Sequence, residues 1–136
     1  MDRIRIAIGS KDGESIFNGH FGESKYFYIF DLTRSGELKF VEKRKNLSEE
    51  EEKGKHGLEK KRKEVLSIIK DVNVIIGRRK SPNFIKISEN TEYQPILVNM
   101  DSFEEIKRKI KENADSIFSM VERRKKGERS KDIPKL

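Results

Sequence analysis

Residues 17–32 read FNGHFGESKYFYIFDL, a compact polar loop, Phe17–Ser24, running straight into a dense aromatic stretch. Lys25–Leu32 places aromatic and β-branched side chains at successive positions, the pattern of a strand covered on both faces. Upstream, Arg3–Ile8 alternates Arg-Ile-Arg-Ile-Ala-Ile, a period of two that predicts a strand with one strongly apolar face. The loop therefore joins two strands and sets His20, Asn18 and Glu23 near the end of the first. Gly19 and Gly22 within it suggest a shaped turn, through positive φ or close backbone approach. Such a loop is a candidate site for a small ligand.

Further along, Thr33–Glu37 (TRSGE) reads as a turn, and Leu38–Lys43 returns as a less apolar third strand near an edge, closing an antiparallel hairpin. Asn46–Gly57 (NLSEEEEKGKHG) reads as a mobile polar linker containing His56. Leu58–Lys70 comes next as a helix with Leu58, Val65, Leu66 and Ile69 on one face. Val72–Ile76 is a short apolar run of the kind found in buried parallel strands. After Gly77 the loop Arg78-Arg79-Lys80-Ser81-Pro82 offers Ser81 as an N-cap and Pro82 as the first helical residue, for a helix through about Ser88. Amide groups at that helix start, with three cations before them, suit an anion; the same residues also read as an ordinary cap beside solvated side chains.

Pro95–Val98 gives a fifth strand. Ser102 and Glu105 form a capping box, and Phe103, Ile106, Ile110, Ala114, Ile117 and Val121 predict one long amphipathic helix. The element order is β-β-β-α-β-α-β-α, a five-stranded mixed sheet flanked by helices. Residues 1–121 form a single domain in this reading, and 122–136 (ERRKKGERSKDIPKL) a basic tail that continues the helix briefly or frays.

Composition narrows the setting. Charged residues make up 40% of the chain, against ~25% for an ordinary globular protein. That excess resembles the surface ion-pair networks of thermophile proteins. Cysteine is absent, so no disulfide argues for secretion. No apolar run approaches the ~20 residues of a bilayer span, and the opening MDRIRIAIGS alternates too strictly for a signal peptide. A cytoplasmic location, with no membrane contact, is the expectation. A net charge of +7 is compatible with nucleic acid or another anionic partner, and equally with a thermophile-like surface slightly rich in lysine.

Catalytic groupings are scarce. No cysteine nucleophile, serine–histidine–acid arrangement, HExxH helix or phosphate-binding glycine loop is present. The element order is also that of ribonuclease-H-like nucleases, which hold two magnesium ions with a carboxylate cluster that includes an acid in the first strand. Here that strand reads RIRIAIG, and Asp31 with Glu23 does not replace the cluster. The expectation is a protein that binds and is not an enzyme. Without thiolates, histidine is the remaining good ligand for iron, nickel or zinc. His20 and His56 are the candidate metal ligands, with Arg78, Arg79 and Lys80 supplying positive charge; each histidine also reads as a plain polar loop residue.

RIAIGSKDG, FNGHFGES with KYFYIFD, KHGLEKKRKEVL, VNVIIG and MDSFEEIKRKI together resemble the dinitrogenase iron–molybdenum cofactor biosynthesis family of small NifX-type and NifB C-terminal-like domains. The similarity runs over roughly residues 4–118, and His20-Phe21-Gly22 after the first strand is its most specific piece. The resemblance implies a ribonuclease-H-like fold without nuclease activity. It also implies a carrier of an iron–sulfur or iron–molybdenum-type cluster or its precursor, working with other cofactor-biosynthesis proteins. Asn18, His20, Phe21, Gly22, Arg78, Arg79 and Ser81 become the candidate cofactor contacts, and His20 and His56 the candidate metal ligands. The chain departs from the family where a small glycine-rich turn usually follows the fourth strand; Arg78-Arg79-Lys80 stands there instead.

The alternative function is a nucleic-acid or anion-binding module using the basic loop and tail. Tyr26, Phe27, Tyr28 and Phe30 are the candidate base-stacking platform for that role, but their strand spacing favours core packing. A third reading is a partner-binding regulator with no cofactor.

Overall fold

A computed structural model describes residues 1–48 and 54–136, with only the backbone described for 54–58. Strands β1 (Arg3–Ser10), β2 (Tyr26–Thr33), β3 (Leu38–Lys45), β4 (Val74–Gly77) and β5 (Gln94–Leu97) form one sheet in the order β3-β2-β1-β4-β5. β1 pairs antiparallel with β2, and β2 with β3, whereas β4 and β5 run parallel to β1. The helices are α1 (Gly54–Ile68), α2 (Pro82–Asn90), α3 (Phe103–Glu112) and α4 (Ala114–Lys125), and a short 3-10 turn covers Phe21–Glu23.

Alternation along β1 sorts its side chains between two cores. Ile4, Ile6 and Ile8 face the layer of α3 and α4, with Val74, Ile76, Ile96 and the predicted stripe from Phe103 to Val121. Ala7 faces the layer of α1 and α2, among Phe27, Ile29, Ile75, Val65, Ile69 and Phe84. β4, predicted as a buried parallel strand, is buried throughout, and β3 is an edge strand, in keeping with its polarity.

Three sequence expectations are corrected. The linker predicted to reach Gly57 is already helical from Gly54, while its residues 49–53 lie outside the described set. The single long C-terminal helix is divided at Asn113, whose φ of −111° leaves the helical range and whose side-chain Nδ2 donates to the Lys109 carbonyl at 2.8 Å. Asparagine competes for backbone partners in this way, and the apolar stripe stays on one face across the break.

The basic tail is not frayed. α4 runs to Lys125, and the chain then returns along the outer edge of β5, where Leu97 N–H donates to Pro134 O and Leu136 N–H to Leu97 O, both at 2.9 Å. An edge strand presents unpaired amide and carbonyl groups, and the last residues satisfy those of Leu97.

Arg124, which the sequence pattern assigns to that solvated tail, is buried. Its Nη2 donates to the carbonyls of Ser88 and Thr91, each at 2.7 Å, at the C-terminal end of α2. The cation satisfies end carbonyls and opposes the helix dipole. Burial, reinforced by the charge of Arg129, pushes its pKa down from the ordinary arginine value. Arg124→Met is expected to lower stability by about 2–3 kcal/mol, read as a lower urea midpoint with unchanged slope, whereas Arg123→Met at the neighbouring exposed position has little effect.

A second ionic device joins β1, β2, β3 and the α1–β4 turn. Arg5 Nε lies 2.9 Å from Asp31 and its Nη1 2.8 Å from Asp71, while Arg44 Nη1 reaches Asp71 at 2.6 Å. Hydrogen bonding from Arg44, opposed by burial and supported by Arg5, holds the Asp71 carboxyl far below the usual carboxylate range. Arg5 likewise lowers Asp31 against the opposing effect of burial. Acids depressed in the folded state contribute fully above the ordinary carboxylate pKa near 4, and that stability is lost as pH falls through their folded values. Asp71→Asn is therefore expected to destabilise at neutral pH, with the gap to the unmodified protein closing progressively below about pH 4 in thermal melts.

Candidate functional site

The carboxyl ends of β1 and β4 carry the two loops singled out by the sequence pattern. After β1 the chain turns on Ser10, whose hydroxyl donates to Ser15 O at 2.6 Å. Asp12 Oδ1 accepts the amides of Glu14 and Ser15 at 2.9 and 3.0 Å, tightening the bend. The strand then folds back beside itself, with Phe17 N–H donating to Gly9 O and Ile16 N–H to Asp101 O, both at 2.8 Å. Ile16 is buried and anchors this return.

The loop ends in the 3-10 turn. Phe21 is its anchor, buried against Phe27 at a ring-centroid distance of 4.9 Å and against Phe84 at 5.7 Å. Ser24 Oγ closes the turn by donating to Phe21 O at 2.7 Å, and Asn46 Nδ2 donates to the carbonyls of Gly22 and Ser24 at 2.8 Å each. α1 packs against the same turn. Phe21 and Gly22 thus hold the loop in place, Phe21 by its buried ring and Gly22 by its carbonyl.

Close approach explains the glycines beneath the turn. A Cβ on Gly9 would lie 2.0 Å from Ser24 Oγ and 2.9 Å from Ser24 Cβ; one on Gly77 would lie 2.9 Å from the Phe84 ring and 3.4 Å from Phe21 Cβ. Gly19 and Gly22, the pair inside the loop, are not among the positive-φ glycines; of the two expected reasons, close approach holds at Gly19, where a Cβ would lie 2.7 Å from the Phe17 ring.

His20 immediately precedes the turn in extended conformation, φ −69° and ψ 137°. Its side chain is 35% exposed, and its Nδ1 lies 3.5 Å from Glu23 Oε1. Arg79 from the loop after β4 reaches across, its Nε donating to the Asn18 carbonyl at 2.5 Å. Arg78 Nε instead donates to Asp101 Oδ1 at 3.0 Å. Ser81 is buried and its hydroxyl accepts Phe84 N–H at 3.1 Å, the predicted N-cap. His56 falls in the first turn of α1, and its side chain is outside the described residues.

The structure therefore ties Arg79 to the Asn18 carbonyl of the loop that carries His20, turns Arg78 toward Asp101 and uses Ser81 as a cap. Sequence reasoning missed Asp101, which ties both loops through its carboxylate and its carbonyl; its one signal was its place just before the Ser102 cap. The interlock of Ser24 with Gly9 and the clamp from Asn46 left no local sign. Asp31 is held by Arg5. Among the described residues, no group of three or more His, Asp or Glu side chains is placed to hold a metal ion, and no helix is long and apolar enough to cross a membrane.

Fold and site define an α/β protein with a mixed five-stranded sheet and a histidine loop meeting a cationic loop over two central strands. The chain belongs to the family described as dinitrogenase iron-molybdenum cofactor, whose model matches residues 2–113. The match runs from β1 to Asn113, so α4 and the returning C-terminal segment lie beyond it. No curated protein matches the chain.

Because Ser24 presses on Gly9, Gly9→Ala is expected to cost about 1–3 kcal/mol through overpacking, read by urea denaturation, and to loosen the turn that carries His20.

Proposed function

We propose that the chain is a binding protein that carries an anionic iron–sulfur-based cofactor, or a precursor of the iron–molybdenum type, and performs no catalysis on it. The observation that most supports this is the junction of the two loops. Arg79 is held against the backbone of the His20 loop by the neutral carbonyl of Asn18, a contact that sets its positive charge on that loop without cancelling it.

An imidazole nitrogen is a good ligand for iron, and a guanidinium complements the net negative charge of a sulfide-bridged cluster. A cluster arrives with its own sulfides, so a carrier needs few protein donors. His20 is the proposed metal contact, Arg79 the charge complement, and Asn18 the residue that positions Arg79. Arg78, paired with Asp101, is available only if that pair opens. Release to another cofactor-biosynthesis protein is straightforward from a partly exposed loop held by a single ligand.

The test is an anaerobic titration of the full chain with a water-soluble, thiolate-ligated iron–sulfur cluster, followed by visible absorption. Stoichiometric uptake is expected, weakened about ten-fold or more by His20→Ala. Arg79→Gln should weaken it more at low salt than at high salt, as for an exposed charge. Lack of uptake by the unmodified protein overturns the proposal.

A further inference from the structure

We propose that the half-open face of β2 and β3 binds single-stranded nucleic acid, with Tyr26, Tyr28 and Phe40 as stacking surfaces and Lys25, Lys43 and Lys107 as phosphate contacts. This surface shares no residue with the cluster-binding reading and stands independently of it.

The sequence pattern predicts that the aromatic run of β2 packs inside, and half of it does. Phe27 and Phe30 are buried, while Tyr26 and Tyr28 are only partly covered. The cause is the width of the helical layer. α3 and α4 cover this face over β1, β4, β5 and part of β2, where Phe30 and Leu32 are buried and Tyr28 meets Phe103 edge-on at 5.5 Å, but β3 extends beyond them and leaves Phe40 51% exposed. Phe40 meets Tyr28 at 6.2 Å and Phe30 at 5.5 Å between ring centroids, and Tyr26 lies 6.5 Å from Tyr28. The rings form a continuous patch along the two strands.

Cations are interleaved with that patch. The Nζ of Lys43 stands 4.5 Å from the centre of the Tyr26 ring and that of Lys25 at 5.6 Å. Lys107, from α3, stands 5.2 Å from the Phe30 ring. The register adds a ring–cation alternation across the strands, with Tyr28 opposite Lys43 and Tyr26 opposite Lys45. Asp12, whose charge reaches Tyr28, is tied into its own turn by the amides of Glu14 and Ser15.

Charge selects the occupant. A second copy of the chain would set lysines against lysines, and edge lysines are a known guard against such pairing. A single strand of nucleic acid supplies both complements, with phosphates for the ammonium groups and base faces for the rings. The basic loop and tail have other partners: Arg78 pairs with Asp101, Arg79 with Asn18, and Arg124 is buried under α2.

Fluorescence anisotropy of a labelled oligouridylate with the full chain tests the proposal. Binding at low salt is expected to saturate and to weaken steeply as salt rises, each phosphate contact adding about 0.7 to the logarithmic salt slope. Phe40→Ala, at an exposed site where folding is retained, is expected to weaken binding roughly ten-fold. Lys43→Gln should lower affinity and remove about 0.7 from the slope, and Lys126→Gln, at the end of the helix beside the opposite edge strand, should change neither. Absence of saturable binding, or affinity indifferent to both Phe40→Ala and Lys43→Gln, overturns the proposal. A dimer seen by sedimentation that Phe40→Ala dissolves also overturns it, since the face would then hold a second copy of the chain.

Discussion

The 3-10 turn Phe21–Glu23 lies directly on the ends of two central strands, with Phe21 pressed between Phe27 and Phe84. Ser24, closing that turn, leaves no volume for a side chain at Gly9, and the Phe84 ring leaves none at Gly77. Interiors at crystal-like density cannot absorb an added methyl without displacing a neighbour. The remaining features of the site depend on this contact. Seating Phe21 fixes where His20 leaves the turn, and the tight backbone at Gly77 brings the next residues, Arg78 and Arg79, to the same end of the sheet.

Around this centre, charge is used in two different ways. Arg5, Asp31, Asp71 and Arg44 neutralise one another where strands and the α1–β4 turn converge, and Arg124 neutralises the end of α2. Those groups are consumed by the fold. Arg79 and the lysines over Tyr26 and Phe30 have backbone or ring partners, which position a cation without cancelling it. The net charge of +7 is thus divided between structural cations and cations left able to meet an anion, and composition cannot make that division.

The boundary of the family match falls at Asn113, where α3 gives way to α4. The residues beyond that boundary still belong to the fold: Ile117, Phe118 and Val121 sit in the core, and the last residues pair with β5. Among the described residues no segment pairs with the outer edge of β3, and Phe40 stays exposed there. One edge of the sheet is bonded at Leu97 by the chain's own end, and the other, β3, carries the exposed Phe40.

The sequence by itself determined the strands, the two-sided burial, the Ser81 and Ser102 caps and the loop bearing His20, because these depend on local periodicity and on hydrogen bonds three residues apart. It also carried the family resemblance, and the family model matches residues 2–113. Only the tertiary structure decided that Asn113 divides the last helix, that Arg124 is a buried cap, that Phe21 serves packing, and that Tyr26 and Tyr28 part company with Phe27 and Phe30. The reason is physical. Each of those outcomes depends on a partner tens of residues away or on how far a helical layer extends over a sheet, and neither is written in the spacing of neighbouring side chains.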